Sequence, residues 1–199
     1  MKDLRRRIGR AAERFDHHRL GSEHLVLALL DPADSSRGAM ALRQCAISET
    51  GYADVVAALA RDSTVRPARS GVLEYSRELI AIFAKAEGLA MATGSAATLA
   101  EHLLMAMLWH HRQPCLGIQL LQKDCEVTRR QIVEELVALG AETPKVELPP
   151  DLLWTEPRRV SRSEFKEVQA DLARRGIRYG CKAQGDDILV FTAQAAARQ

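Results

Sequence analysis

Two glutamates in equivalent settings are the side chains of this sequence best suited to bind a ligand. Glu23 opens the apolar segment 23–30, and Glu101 opens a similar segment at 101–108. A carboxylate in this position can accept charge-assisted hydrogen bonds from a bound group. Ser22 adds a hydroxyl beside the first glutamate. The alternative is that both glutamates only stabilise the start of a helix, where negative charge is favourable.

A histidine follows each glutamate, as His24 and His102. Either could bind a ligand or transfer a proton, but a hydrogen-bonded structural role is the commoner one at the start of an apolar helix. Residues 17–18 and 110–111 are also histidine pairs. No cysteine or carboxylate joins these pairs at the spacing of a metal site, so the sequence predicts no metal and no cofactor.

Two groups of arginines are candidate partner surfaces. The group near the start of the chain consists of Arg5, Arg6, Arg7 and Arg10. It could contact phosphate or an acidic partner, although a solvated helix face is the better explanation because Asp3 and Glu13 dilute the charge. The second group is Arg158 and Arg159, which follow Trp154 in a proline-flanked stretch and could bind an acidic surface.

No arrangement typical of an enzyme is present in the local sequence. The four cysteines are Cys45, Cys115, Cys125 and Cys181. They form no Cys-x-x-Cys pair and have no flanking catalytic signature, so free thiols are expected. The sequence also has no Gly-x-x-x-x-Gly-Lys-Ser/Thr phosphate loop. We therefore expect neither enzymatic activity nor nucleotide hydrolysis.

The composition favours a helical protein. Hydrophobic residues make up 47% of the 199 residues, which is enough for a core, while aromatic residues make up only 5%. The net charge of +2 gives no general attraction to nucleic acid, which is not expected as a partner. Because the sequence has no signal peptide and no apolar run long enough to span a bilayer, we expect a cytoplasmic protein with no membrane partner.

The sequence contains an internal duplication. Segments 23–30 and 101–108 are 78 residues apart, and the same offset superimposes Ala12 on Ala90. With a slip of one residue, segment 41–44 then falls on 120–123. A repeat of this length is typical of a duplicated helical unit.

Periodic apolar positions predict four helices in each copy of the repeat. In the first copy they span about 2–16, 22–30, 38–45 and 52–61. In the second copy they span about 75–92, 103–109, 116–123 and 127–139. Thr98 and Glu101 have the spacing of a capping box for the buried helix of the second copy. The copies would then occupy about 1–62 and 72–140.

Beyond residue 140 the repeat stops. Prolines at 144, 149 and 150 predict a linker over 141–160. A further helix is expected over 161–175, and 177–182 could pair with 187–192 as a hairpin.

These patterns together predict an all-α protein of two pseudo-symmetric four-helix repeats over 1–140. A small extension of one helix and a possible β-hairpin would follow over 161–199.

The duplicated pattern resembles the amino-terminal domain of the Clp family of AAA+ unfoldases, especially the ClpC and ClpA branches. In that family each buried helix opens with Gly-Thr-Glu-His-Leu-Leu. Residues 21–26 read Gly-Ser-Glu-His-Leu-Val, whereas 99–104 keep Glu-His-Leu-Leu and replace Gly-Thr by Leu-Ala. His17 falls where the family has a histidine in the preceding turn, and Tyr75 falls where the second repeat usually starts with Phe. The resemblance covers residues 1–140.

The resemblance implies a binding site at each glutamate. In the ClpC branch the equivalent glutamates receive the guanidinium of phosphoarginine, a degradation mark, while the neighbouring Thr and backbone amides hold its phosphate. This implies ligand contacts from Ser22 and Glu23 in the first copy and from Glu101 in the second. Because the second copy lacks the glycine and the hydroxyl, we expect the first site to bind more tightly.

The function we expect is that of a Clp-type binding module without an ATPase, acting as an adaptor, a decoy or a regulator of a Clp protease system. Its partners would be a peptide, a phosphoarginine-marked substrate or a Clp protease component. One alternative is a structural module that grips a partner helix, as implied by the related domain of ClpV in type VI secretion. The other is a DNA-binding regulator that uses the arginine-rich helix, against which the near-neutral charge argues.

Overall fold

A computed structural model describes residues 2–62, 73–110, 115–145, 148–149, 152–154, 158–175, 177–184 and 187–195. The chain forms two compact units. The larger unit contains both copies of the repeat, and the smaller one contains the elements that follow Pro149. Among the helices in these ranges, none combines the length and the apolar character needed to cross a lipid bilayer.

Each copy of the repeat folds into four helices, which confirms that prediction. The first copy consists of α1 (Lys2–Arg14), α2 (Ser22–Leu30), α3 (Arg37–Gln44) and α4 (Glu49–Asp62). The second consists of α5 (Arg77–Ala92), α6 (Ala100–Leu108), α7 (Leu116–Asp124) and α8 (Arg129–Ala138). A short parallel ladder links the copies, in which β1 (Arg19–Leu20) pairs with β2 (Glu74–Tyr75).

Helices α2 and α6 form the buried centre of their copies. Every residue of α2 is buried, and so is every residue of α6 from Glu101 to Leu108. Helices this apolar on all sides must be covered all round, which sets the positions of their neighbours. Helix α1 packs on α2, and α5 packs on α6. The buried residues of α1 and α5 are Leu4, Ile8, Ala12, Leu79, Ile82, Ala86 and Ala90.

The two copies pack together through reciprocal contacts. Helix α2 of the first copy lies against α7 of the second, and α6 of the second lies against α3 of the first. A glycine permits each close approach. A Cβ atom on Gly117 would lie 2.7 Å from the carbonyl oxygen of Ser22, and one on Gly38 would lie 3.0 Å from that of Ala100. These glycines are 79 residues apart, as the slipped part of the duplication requires.

The start of α6 differs from the sequence prediction. The N-cap residue is Leu99 and not Thr98, so the helix begins one residue later than a Thr98 cap would require. Glu101 is then the second helical residue, and it is His102 that reaches back to the N-cap. The Nδ1 atom of His102 accepts a hydrogen bond from the Leu99 amide at 3.0 Å. The capping-box prediction is therefore wrong, because histidine performs the task assigned to glutamate.

The smaller unit is an antiparallel sheet with one helix. Its elements are β3 (Leu152–Trp154), β4 (Arg158–Ser161), α9 (Arg162–Arg174), β5 (Arg178–Gln184) and β6 (Asp187–Ala195). Strand β6 is central, with β5 along one edge and both β4 and β3 along the other. Val160, Leu172 and Val190 form the core between α9 and the sheet. The predicted helix and the predicted hairpin of β5 and β6 are both present.

Strand β3 and all but the last residue of β4 lie in the stretch 141–160, where the sequence predicts a linker. Both are short, and neither shows the alternation that marks a strand in the sequence. They form because β6 is nine residues long and pairs along both edges, so its second edge needs partners. Such pairing depends on a segment more than 25 residues away, and local sequence therefore predicts it poorly.

Candidate functional site

The two candidate glutamates lie at the starts of the two buried helices, where the copies of the repeat meet. Glu23 is 8% exposed and Glu101 is 6% exposed. Although the residues are equivalent in the duplication, their surroundings differ in charge and in hydrogen bonding. These differences determine what each position can bind.

The hydroxyl of Ser22 is engaged in the contact between the copies. Ser22 is fully buried, and its Oγ atom accepts a hydrogen bond from the Gly117 amide at 2.9 Å. The same hydroxyl donates to the carboxylate of Glu78, whose other oxygen accepts from the Leu116 amide at 3.3 Å. Ser22 and Glu78 thus satisfy amides at the start of α7 that a helix leaves without an internal partner.

Glu23 lies in surroundings that disfavour its charged form. Its carboxyl group folds back over Gly21, where a Cβ atom would collide with it. Burial raises the pKa of Glu23 to about 7; a hydrogen bond from its own amide opposes this shift, and the nearby Glu78 carboxylate adds to it. Across the described ranges, no lysine or arginine forms an ion pair with Glu23. The first site is therefore acidic and holds no cation of its own.

His24 has a structural role at the start of α2. Its Nδ1 atom accepts a hydrogen bond from the Gly21 amide at 2.9 Å, so Nε2 carries the proton and donates to Nδ1 of His17 at 2.8 Å. Burial, together with repulsion from His17, lowers the pKa of His24 to about 3. The ring is therefore neutral, and its 3.1 Å contact with the Glu23 carboxyl is not an ion pair.

His102 has the same role in the second copy. Besides its bond from the Leu99 amide, its Nε2 atom lies 3.2 Å from the hydroxyl of Thr93. Thr93 thus replaces His17 as the second partner of the ring. The recurrence in both copies supports the structural interpretation of the two histidines.

The fold also assembles a group of possible metal ligands that the sequence analysis missed. Donor atoms of His17, Glu23 and His24 lie within 4.8 Å of one another. In the sequence, Glu23 is not at a spacing from His17 that is typical of metal ligands. The turn before α2 brings its carboxylate close to the two histidines. The hydrogen bond between the two imidazoles accounts for this arrangement without a metal ion. His111, of the other histidine pair, lies outside the described residues.

Glu101 lines an open cavity of about 300 Å³. An oxygen of its carboxylate lies 3.6 Å from a guanidinium nitrogen of Arg37, which is the first residue of α3. The Arg37 side chain is 52% exposed, whereas that of Glu101 is 8% exposed. His102 and Thr93 line the same cavity. The second site therefore contains a buried carboxylate next to an accessible, positively charged guanidinium.

The duplication explains why only the second site has this pair. The residue equivalent to Arg37 in the second copy is Leu116, at the offset of 79 that applies to this part of the repeat. Helix α7 therefore brings an apolar side chain to the start of α2, whereas α3 brings a guanidinium to the start of α6. Sequence analysis did not identify Arg37. The alignment at an offset of 79 does place this arginine opposite Leu116, and that difference could have drawn attention to it.

The arginines near the start of the chain do not form one surface. Arg6 pairs with Asp3 at 2.6 Å, and Arg5 lies over the ring of Phe83 at 5.4 Å. Arg7 is 16% exposed and pairs with Asp34 at 2.7 Å, so it belongs to the packing of the first copy. Of this group, only Arg10 has no ion pair, hydrogen bond or ring contact within the described ranges, and it is the one arginine still available to a partner.

The second arginine group is divided between the two faces of a sheet. Arg158 and Arg159 are exposed and consecutive in β4, so their side chains point to opposite faces. Arg159 lies 3.8 Å from the Asp187 carboxylate. The backbone of Trp154 pairs with Ala193 in β6, and the residue is therefore in a strand and not in a linker. A joint surface of these three residues stays a prediction.

All four cysteines are free thiols, as expected. Burial raises the pKa of the Cys115 thiol to about 12 and that of Cys45 to about 11. A thiol is nucleophilic only when it is deprotonated, so these two cannot act as nucleophiles near neutral pH.

The eight helices of the two copies form a duplicated helical domain. Residues 9–149 match the Clp repeat (R) N-terminal domain family, and the chain belongs to that family. Its structure is similar to the N-terminal domain of ClpD, a caseinolytic protease associated chaperone from Arabidopsis thaliana. The TM-score is 0.51 at 12% identity, over 69% of this chain and 92% of the ClpD domain. No curated protein matched the sequence. Family and fold together support a Clp-type amino-terminal binding module.

Proposed function

We propose that this chain is a non-catalytic module that binds a protein or peptide ligand in the Glu101 cavity and regulates a Clp protease system. Membership of the Clp repeat family supports the binding role. The observation that carries the site is the pairing of a buried carboxylate with an accessible guanidinium in one cavity. A ligand that carries both a positive and a negative group can separate this pair, because each of its charges can bind one of the two side chains.

A phosphoarginine side chain has the matching arrangement of charges. Its guanidinium can replace that of Arg37 on the Glu101 carboxylate, with two parallel hydrogen bonds. Arg37, once released, can pair with the phosphate, for which a guanidinium is well suited. Because the Arg37 side chain is half-exposed and contacts Glu101 at 3.6 Å, rotation of that side chain would free the carboxylate for the ligand.

The second site is proposed to bind more tightly than the first, which reverses the order expected from sequence. A phosphate at the first site would have to compete for the Ser22 hydroxyl with the Gly117 amide. The neighbouring Glu78 carboxylate would repel it. Glu23, with a pKa of about 7, is also partly protonated at neutral pH and is then a weaker partner for a guanidinium.

Calorimetric titration with free phosphoarginine tests this site. Glu101→Gln keeps the size of the side chain and removes its charge, so we expect affinity to fall about ten- to a hundredfold. Arg37→Ala should weaken phosphoarginine, which loses its phosphate partner, and should tighten the much weaker binding of plain arginine, which no longer competes with Arg37 for Glu101. Glu23→Gln serves as the comparison at the other copy. Equal losses from Glu23→Gln and Glu101→Gln, or no loss from either, would contradict the proposal.

A module that holds a ligand without unfolding it can regulate a protease in two ways. As an adaptor it delivers marked substrates, and as a decoy it withholds them. Addition of the protein to a reconstituted Clp protease that degrades an arginine-phosphorylated substrate separates the two. An adaptor raises the rate of degradation and a decoy lowers it, and Glu101→Gln should abolish either effect. An unchanged rate on addition of the wild-type protein would contradict a regulatory role.

A further inference from the structure

A second cavity, of about 290 Å³, lies in the first copy between α1, the end of α2 and the start of α4. Its basic residues are Arg7, Arg10 and Arg14. Its apolar floor includes Ala11, Leu27 and Pro32. This combination of arginine and apolar side chains is separate from the Glu101 cavity, which Arg37 of the first copy and residues of the second copy line together.

Two of the three arginines are held by the protein itself. Arg7 donates to the Ala28 carbonyl at 2.8 Å and pairs with Asp34 at 2.7 Å. Arg14 pairs with Glu49 at 2.6 Å. Arg10 is exposed, and no ion pair or hydrogen bond within the described ranges occupies its guanidinium. The cavity thus has one cation whose charge is not balanced by a neighbour.

The duplication distinguishes arginines that the fold needs from those it does not. The residue equivalent to Arg7 is Lys85, which donates to the Trp109 carbonyl at the end of α6, as Arg7 does near the end of α2. A cation at this position therefore serves the packing of both copies. The residue equivalent to Arg10 is Gly88, where an added Cβ atom would meet nothing within 4 Å. The repeat folds without a cation there, so packing does not explain Arg10.

We propose that this cavity binds an acidic segment of a partner protein. A carboxylate of the segment pairs with Arg10, and an adjacent apolar side chain packs on Leu27 and Pro32. Asp34 and Asp31 balance the charge of Arg7, and Glu49 balances that of Arg14, so Arg10 is the charge left for an incoming anion. One unoccupied guanidinium offers a single pair of parallel donors, which matches one carboxylate. A volume near the lower limit of ligand pockets suits side chains of a peptide better than a larger molecule.

Fluorescence anisotropy with a labelled eight-residue peptide of alternating Glu and Leu tests the proposal on the full-length protein. We expect Arg10→Ala to weaken binding roughly fivefold, as for loss of one partly exposed ion pair. Arg10→Lys should retain most of the affinity. Arg6→Ala is the matched control, because Arg6 lies on the same helix, is paired with Asp3 and does not line the cavity.

Two further comparisons make the outcome decisive. A peptide with Gln in place of Glu should bind at least fivefold more weakly to the wild-type protein. Phosphoarginine affinity should be unchanged in Arg10→Ala, so failure here is distinguishable from failure of the Glu101 site. The proposal is overturned if the Glu-Leu peptide does not bind, if the Gln peptide binds equally well, or if Arg10→Ala and Arg6→Ala have equal effects.

Discussion

At the scale of single residues, equivalent glutamates have acquired different properties because their neighbours differ. Glu101 has Arg37 within 3.6 Å, whereas Glu23 lies near another carboxylate, that of Glu78. The same side chain, at the same point of the same kind of helix, is thus a charge-pairing group in one copy and a destabilising one in the other. The difference has a measurable consequence for stability.

Glu23 should make the protein less stable as pH rises. Its ordinary pKa of 4.5 is raised to about 7 in the folded state. Below pH 4.5 the group is neutral in both states and has no effect. Between pH 4.5 and pH 7, Glu23 ionises in the unfolded chain but stays protonated in the folded one, so the folded state loses stability as pH rises. Above pH 7 the group is ionised in both states and the loss has reached its full size. We expect the free energy of unfolding of Glu23→Gln to exceed that of wild type by up to about 3 kcal/mol at pH 8 and to equal it at pH 4.5.

Urea unfolding of wild type and variant at several pH values measures this difference. Glu101→Gln is the matched control, and it should show no gain at pH 8 because it breaks the contact with Arg37. A Glu23→Gln advantage that is the same at pH 4.5 and pH 8 would refute the assignment.

The glutamates themselves could be predicted from sequence, because the duplication repeats them within similar segments. Their partners could not. Arg37 and Glu78 each belong to the other copy of the repeat from the glutamate they influence, and only packing brings them close. Thr98 illustrates the opposite error: its spacing to Glu101 fits a capping box, yet the neighbouring His102 makes the bond.

At the scale of helices and strands, the two copies are held together by close contacts that depend on glycine. Gly117 and Gly38 each allow one helix to touch the backbone at the start of another. Contacts of this kind leave no room for adjustment, since the neighbouring atoms belong to the main chain.

Alanine at either glycine should therefore destabilise the protein. For Gly117→Ala the new methyl would lie 2.7 Å from the Ser22 carbonyl oxygen and 2.8 Å from a Met107 side-chain carbon. We expect a loss of about 1–3 kcal/mol, as for other overpacked cores, and a smaller loss for Gly38→Ala. Gly88→Ala is the control within a helix, and it should stabilise by about 0.5–1 kcal/mol because nothing obstructs it.

Chemical denaturation of the three variants checks this prediction. Equal stabilisation by all three substitutions would mean that the contacts between α2 and α7 and between α3 and α6 are looser than described.

The helices of the repeat could be predicted well because their apolar periodicity is a local property. The buried helix α2 is found at its predicted limits, Ser22–Leu30. Strands β3 and β4 could not be predicted, since residues 152–154 and 158–161 become strands only through pairing with β6. The ladder between Arg19–Leu20 and Glu74–Tyr75 escaped prediction for the same reason.

At the scale of the whole molecule, the chain combines two units with separate cores. The core of the larger unit joins residues of all eight repeat helices, whereas the smaller unit has its own core around Val160, Leu172 and Val190. A unit with a complete core of this size can fold alone.

A chain that ends after Pro149 should therefore keep the fold of the repeats. We expect a cooperative thermal transition by circular dichroism at 222 nm, with a midpoint within about 2–4 °C of that of the full chain, which is the shift that about 1 kcal/mol causes in a protein of this size. Phosphoarginine affinity should be unchanged. A non-cooperative transition would show that the repeats depend on residues 150–199.

The central claim is that the ligand binds at the Glu101 cavity and not at the equivalent position of the first copy. Titration of the ¹⁵N-labelled full-length protein with phosphoarginine, followed by NMR, locates the bound ligand directly. We expect the largest shifts at the amides of Arg37, Glu101 and His102, and we expect Glu101→Gln to abolish them. Shifts centred on Ser22 and Glu23, or none at either glutamate, would contradict the account.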